Sequence, residues 1–106
     1  MAEVCMVFVT APDANVAADL TKALLSDELV ACGNIVDGLR SVYRWEGKIC
    51  DDSEALLILK TTKEQVERLK IKVVEVHPYE CPEVLVVPVS DGHPEYLSWV
   101  RDQVRR

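Results

Sequence analysis

A nitrogen, a carboxylate and a thiol fall within five residues of one another in the segment His77-Pro78-Tyr79-Glu80-Cys81-Pro82-Glu83. Neutral imidazole and thiolate are donors suited to copper and zinc. His77, Glu80 and Cys81 are therefore the candidate ligands for Cu(II) or another divalent transition metal. Three donors fall one short of a closed structural site, so binding there would be modest in affinity. His77 also has a plainer role open to it, because a histidine at the end of a helix can interact with the last carbonyls. Each proline pushes the residue before it out of the helical region, which makes the segment a stiff linker.

The remaining chemistry-bearing residues are more dispersed. Cys5 sits inside an apolar run and reads as core. Cys32, between Ala31 and Gly33, reads as a small buried hydrophobe. Cys50 follows an exposed hairpin and is open to oxidation, although no neighbouring His or Lys pair activates it. His93, beside Asp91 and Pro94, reads as a solvated loop residue. Tyr43, Trp45, Lys48, Lys60 and the linker's Tyr79 could line a cleft between subunits. Equally, the aromatic residues could anchor an interface, a role such side chains favour. Glu80 and Glu83 could pair with Lys60 or Arg44 across such a boundary.

No Ser/His/Asp or Cys/His arrangement can be read from spacing, and Thr10-Ala11-Pro12-Asp13 makes a poor phosphate cradle. It has neither Gly nor Arg, and its carboxylate would repel phosphate. The chain is expected not to be an enzyme. Its net charge of −6 and its scattered basic residues argue against nucleic acid as a partner. Arg101, Arg105 and Arg106 do cluster, but at the end of an expected helix, where they complement its dipole. No apolar run approaches the length of a membrane span, and no membrane partner is expected. The four cysteines form no CxxC pair, and no secretory signature precedes them. Free thiols in a reducing cytoplasm are the expectation.

The elements that must position these residues follow from periodicity. Val4 to Val9 is a continuous β-branched run, read as a buried strand that ends at Thr10-Ala11-Pro12-Asp13. Asp13 is placed to cap a helix running to about Glu28, with Val16, Leu20, Ala23 and Leu24 on one face. Leu29 to Val36 reads as a second strand, and Asp37-Gly38 as a turn or bulge. Ser41 to Trp45 alternates, Glu46-Gly47 makes a hairpin tip, and Lys48 to Cys50 starts the return. Asp51-Asp52-Ser53 is expected to interrupt that return before Ala55 to Leu59. The hairpin should project beyond the other strands. Thr61 or Thr62 should cap a second helix carrying Val66, Leu69, Val73 and Val76 as its apolar stripe, ended by Pro78. Val84 to Val89 is the fourth strand, and Pro94 opens a last helix with Tyr96, Leu97 and Val100 inward.

At 106 residues this is one domain, with the order β-α-β-β-α-β plus a terminal helix. That order matches an α+β, ferredoxin-like split βαβ domain with an antiparallel sheet. Both helices of this plan pack on one face of the sheet, and the other face should be polar in a monomer. Here three strands are apolar at both parities. About seven uncovered side chains, each contributing roughly 1.5–3 kcal/mol when buried, would form an association site. A symmetric oligomer with its sheets packed inside is the economical arrangement.

Val9-Thr10-Ala11-Pro12-Asp13, Val30-Ala31-Cys32-Gly33-Asn34-Ile35, Ser41-Val42-Tyr43-Arg44-Trp45-Glu46-Gly47-Lys48, Leu57-Ile58-Leu59-Lys60-Thr61-Thr62, His77 to Glu83 and Tyr96-Leu97-Ser98-Trp99 resemble, in that order, the CutA divalent-cation-tolerance family. The resemblance spans nearly the whole chain. It implies a ferredoxin-like subunit in a tight homotrimer similar to the PII signalling proteins, a role in tolerance to copper and other divalent metals, and no established enzymatic reaction. The chain departs from some relatives, which carry a Cys where this sequence has Val9 and a second His where it has Val76. A metal site here must use other groups. A trimer of PII type could instead bind a small organic effector or a protein partner without metal.

Overall fold

The computed structural model describes residues 2–105. Strand β1 (Val4–Ala11) leads into helix α1 (Ala14–Ser26), then strands β2 (Cys32–Trp45) and β3 (Lys48–Thr62). A 3-10 turn (Lys63–Gln65), helix α2 (Val66–Val76), strand β4 (Val84–Pro88) and helix α3 (Pro94–Gln103) complete the chain. The sheet is antiparallel in the order β2-β3-β1-β4, which is the split βαβ arrangement expected from the sequence.

Strand parity decides where the core lies. On one face Val7 opposes Leu59, Val9 opposes Leu57 and Ala11 opposes Ala55. All six are wholly buried, together with Ala17, Leu20 and Leu24 of α1 and Leu69 and Val73 of α2. Gly33 belongs to this face. A Cβ there would come within 2.7 Å of the Thr21 methyl and about as close to Leu57 and Leu59. Glycine is what lets α1 lie so near β2. A smaller cluster of Val4, Ala31 and Val100, backed by Val89 and Leu97, fastens α3 to the sheet.

The other face carries neither α1 nor α2, and only its Val4–Cys32 end is covered, by α3. Phe8 opposes both Ile58 and Leu85, Met6 opposes Val87, and Val36 opposes Leu56. Met6, Phe8, Leu56 and Ile58 are half-buried, whereas Leu85, Val87 and Val36 are exposed. The apolar second face read from the sequence is thus present and open on the single chain.

Beyond Ala11 and Ala55 the β2–β3 ribbon loses β1 as a neighbour and extends as a two-stranded hairpin, giving the subunit dimensions of 44 × 26 × 22 Å. At its base Asp37 and Gly38 form a β-bulge between Val36 and Leu39. At its tip Glu46 and Gly47 both have positive φ, the geometry of a two-residue type I′ turn.

Several boundaries differ from the sequence reading. β1 continues through Thr10 and Ala11, because Ala55 and Leu56 pair with them. α1 stops at Ser26, where Glu28 enters the left-handed region and Leu29 to Ala31 form a lead-in to β2. Asp51-Asp52-Ser53 does not interrupt β3. These residues pair with Val42, Ser41 and Arg40 in unbroken register. Neither Thr61 nor Thr62 caps α2 by its side chain. Thr61 donates to the Leu29 carbonyl at 2.6 Å, and the 3-10 turn intervenes. Val76 and Tyr96 are exposed rather than inward, because each lies at the margin of its helix's apolar stripe. Asp13 does cap α1, accepting from the Val16 amide at 2.8 Å.

Candidate functional site

The linker after α2 is held in place by His77. Its ring is buried, and a backbone amide can only donate while a carbonyl can only accept. The Tyr79 N–H donates to Nδ1 at 3.0 Å, so Nε2 carries the proton and donates to the Thr10 carbonyl at 2.8 Å. Its backbone N–H also donates to the Val73 carbonyl, closing the last turn of α2. One side chain therefore ties β1, the helix end and the linker together. Both ring nitrogens are committed, and neither presents a lone pair to an ion.

Fixing the linker this way turns its downstream residues toward the hairpin. A cavity of about 760 Å³ opens there, lined by Thr10 of β1, by Arg40, Tyr43, Trp45 and Glu54 of the ribbon, and by Tyr79, Glu80, Cys81 and Glu83. Two phenol-to-carboxylate hydrogen bonds build its wall. The Tyr79 hydroxyl donates to Glu54 Oε2 at 2.7 Å, and the Tyr43 hydroxyl donates to Asp52 Oδ2 at 2.6 Å. Arg40 is held by Asp51 in a two-pronged pair at 2.9 and 2.7 Å, which pulls the Asp51 carboxyl below its ordinary range. The Tyr79 and His77 rings lie 4.6 Å apart.

Of the residues picked out in sequence, the structure brings Tyr43, Trp45, Tyr79, Glu80 and Cys81 to this cavity. Lys60 is elsewhere, opposite Cys32 in the ladder and hydrogen-bonded to Asn34. Cys32 lies near the Tyr96 hydroxyl, and that phenol packs on Trp99. Cys5 is core, Cys50 is half-buried and Cys81 is exposed. His93 is not an idle loop residue. It is the N-cap of α3, its side chain accepting from the Tyr96 amide. Among the described residues, no three His, Cys, Asp or Glu side chains lie close enough together to hold a metal ion. Sequence reasoning missed Glu54 and Asp52. Parity could have found Glu54, which is two residues from Leu56 and so on the same side of β3.

Both phenols titrate late. Hydrogen bonding to Asp52, with burial adding to it, pushes Tyr43 up to about 12. Tyr79 is raised further, first by burial and then by its bond to Glu54. A phenol raised in the folded state stabilises it fully below the unfolded value of about 10, and that stability is lost as pH climbs through the folded value. Phenolate absorbance should therefore lag behind a model tyrosine, with unfolding setting in on the alkaline side. Asp52→Asn should return one phenol toward about 10. An unchanged titration curve in that variant would exclude the Asp52 bond as the cause.

A model of the CutA1 divalent ion tolerance protein family matches residues 5–103. The divalent-cation tolerance protein CutA of Thermus thermophilus is 44% identical over 97 residues, covering 92% of this chain and 94% of that protein. Mouse protein CutA is also 44% identical, and the chain spans 52% of its length. Among solved structures, CutA1 from Oryza sativa superposes with a TM-score of 0.96 at 38% identity, covering 99% of this chain and 96% of that one. The Thermus thermophilus divalent cation tolerance protein gives 0.93 at 42%, covering 96% and 99%.

Proposed function

The chain belongs to the CutA1 divalent ion tolerance family, and from that premise we propose that it acts as a homotrimeric, PII-like binding protein of divalent-cation tolerance. It binds rather than transforms its ligand, and it does so in the cytoplasm, where its thiols stay reduced. The observation that carries the trimer is the open sheet face. Met6, Phe8, Leu56, Ile58, Leu85 and Val87 form one apolar surface of the kind found in obligate interfaces.

The fit to a metal is poor on one subunit. His77 has no free nitrogen, Val9 and Val76 offer no donor, and among the described residues no three ligating side chains converge. Capture of copper or another divalent ion therefore needs donors from two subunits. This chain's contribution is exposed Cys81 with Glu80 at the mouth of the hairpin cavity. Copper heads the divalent affinity series and is the ion best retained by such an incomplete donor set.

Native mass spectrometry of protein purified without chelator and then titrated with Cu(II) tests both parts together. The expected species is three times 11.9 kDa, with copper bound by wild type and His77→Gln but not by Cys81→Ser. A monomer mass would remove the trimer. Copper uptake that follows His77 instead of Cys81 would remove the site.

A further inference from the structure

Among the described residues Glu54 has no cation. The residue is nine-tenths buried on β3, and Oε2 is satisfied by the Tyr79 hydroxyl. Oε1 has no hydrogen-bond partner and is not sealed off, since no buried side-chain oxygen among the described residues lacks one, and Glu54 lines the open cavity. The described ion pairs are Arg40–Asp51, Lys63–Glu3, Lys70–Glu67 and Lys72–Asp27, and none includes Glu54. Arg40, the one basic residue lining the cavity among the described residues, is already committed to Asp51. Buried carboxylates are ordinarily paired with a cation, because desolvating an uncompensated charge is costly.

The surroundings define which cation would suit. Glu80 and Glu83 stand on the linker side of the same cavity, so negative charge is spread along it instead of converging on a point. That distribution denies a bare metal ion its three or four donors, in keeping with the absence of any converging ligand group among the described residues. Tyr43, Trp45 and Tyr79 supply aromatic surface between the charges. Methylene groups pack on such surface, and ammonium groups are attracted to its faces. A volume of about 760 Å³ lies within the usual size of small-molecule pockets.

We propose that this cavity is a site for an aliphatic di- or polyamine, with one ammonium on Glu54 Oε1, the methylene chain along the three aromatic rings, and a second ammonium near Glu80 and Glu83. This goes beyond the cation-tolerance reading and does not depend on it, since it uses neither Cys81 nor copper. The test is calorimetric titration of spermidine into the intact assembly, with 1,4-butanediol and Mg²⁺ as probes lacking the charge or the chain. Saturable binding of one spermidine per chain is expected, with no heat from butanediol. Magnesium should compete only weakly.

Hydrogen bonds to charged groups are strong enough that Glu54→Gln should weaken binding by roughly tenfold or more. Glu83→Gln changes only an exposed linker residue and keeps the fold. It should weaken spermidine several-fold while leaving the monoamine butylamine unaffected. The proposal is overturned by absence of saturable binding, by equal affinity in wild type and Glu54→Gln, or by equal competition from magnesium. It is also overturned, in favour of a neighbouring subunit's basic side chain as the missing cation, if spermidine does not bind and Glu54→Gln dissociates the assembly.

Discussion

Aspartate in place of Ile58 should abolish assembly, whereas aspartate in place of Ile71 should leave it intact. Both isoleucines are side chains of one size, and both lie away from the internal core. Ile71 is two-thirds exposed on the outer surface of α2, where surface substitutions ordinarily stay within about 0.5 kcal/mol. Ile58 sits in the middle of the open sheet face, opposite Phe8 and one strand from Leu85. In a trimer with sheets packed inward, each subunit would bury that new carboxylate against apolar neighbours, at an effective cost of several kcal/mol per ion. The cost recurs in every subunit of a symmetric assembly. Because folding and association are linked in such a protein, the Ile58 variant should also melt earlier, and more so on dilution. Sedimentation equilibrium of the three proteins decides the matter. Equal masses for the two aspartate variants would show that the open face is not the interface.

What could be read from the sequence, and what could not, divides along the range of the interactions involved. Strand parity is a local property, and Val7, Val9, Leu57 and Leu59 fall on the buried side as alternation requires. The hairpin turn at Glu46-Gly47 and the bulge at Asp37-Gly38 are likewise set by residues adjacent in the chain. Three polar residues in a row favour turns, so Asp51-Asp52-Ser53 reads as a break when β3 is taken alone. They stay in β3 because Arg40 and Tyr43, on the facing strand, reach across to Asp51 and Asp52. No window on β3 alone contains those partners. The same limit applies to the site. Tyr43, Trp45 and Tyr79 could be grouped by type, but Glu54 becomes a buried carboxylate only once the linker lays Tyr79 over it. On the single chain the ladder places Lys60 beside Cys32 and Asn34, away from the hairpin cavity, a placement no window around Lys60 contains.

His77 shows this limit most directly, and its removal should have the second large effect. A histidine within four residues of a cysteine suggests a ligand when only spacing is seen. In the fold it is a strut, with Nε2 on the Thr10 carbonyl and Nδ1 on the Tyr79 amide. His77→Ala leaves a carbonyl and an N–H without their partner in a largely buried position, at a cost of about 1–3 kcal/mol for each group left unsatisfied. Loss of the ring's packing against Tyr79 adds to this. His77→Gln keeps a donor and an acceptor on a shorter, more flexible side chain and should recover part of the loss. Denaturant unfolding orders the three proteins, wild type above Gln above Ala. Stability alone would not separate a strut from any other buried residue, so the sharper readout is local. Hydrogen exchange at the Tyr79 amide should be fast in His77→Ala, slower in His77→Gln and slowest in wild type. Since Tyr79 carries the bond to Glu54, its release should also let that phenol titrate earlier in the alanine variant. Unchanged exchange at Tyr79 in His77→Ala would mean that the linker is held by something other than the imidazole, and that the hairpin cavity does not owe its shape to His77.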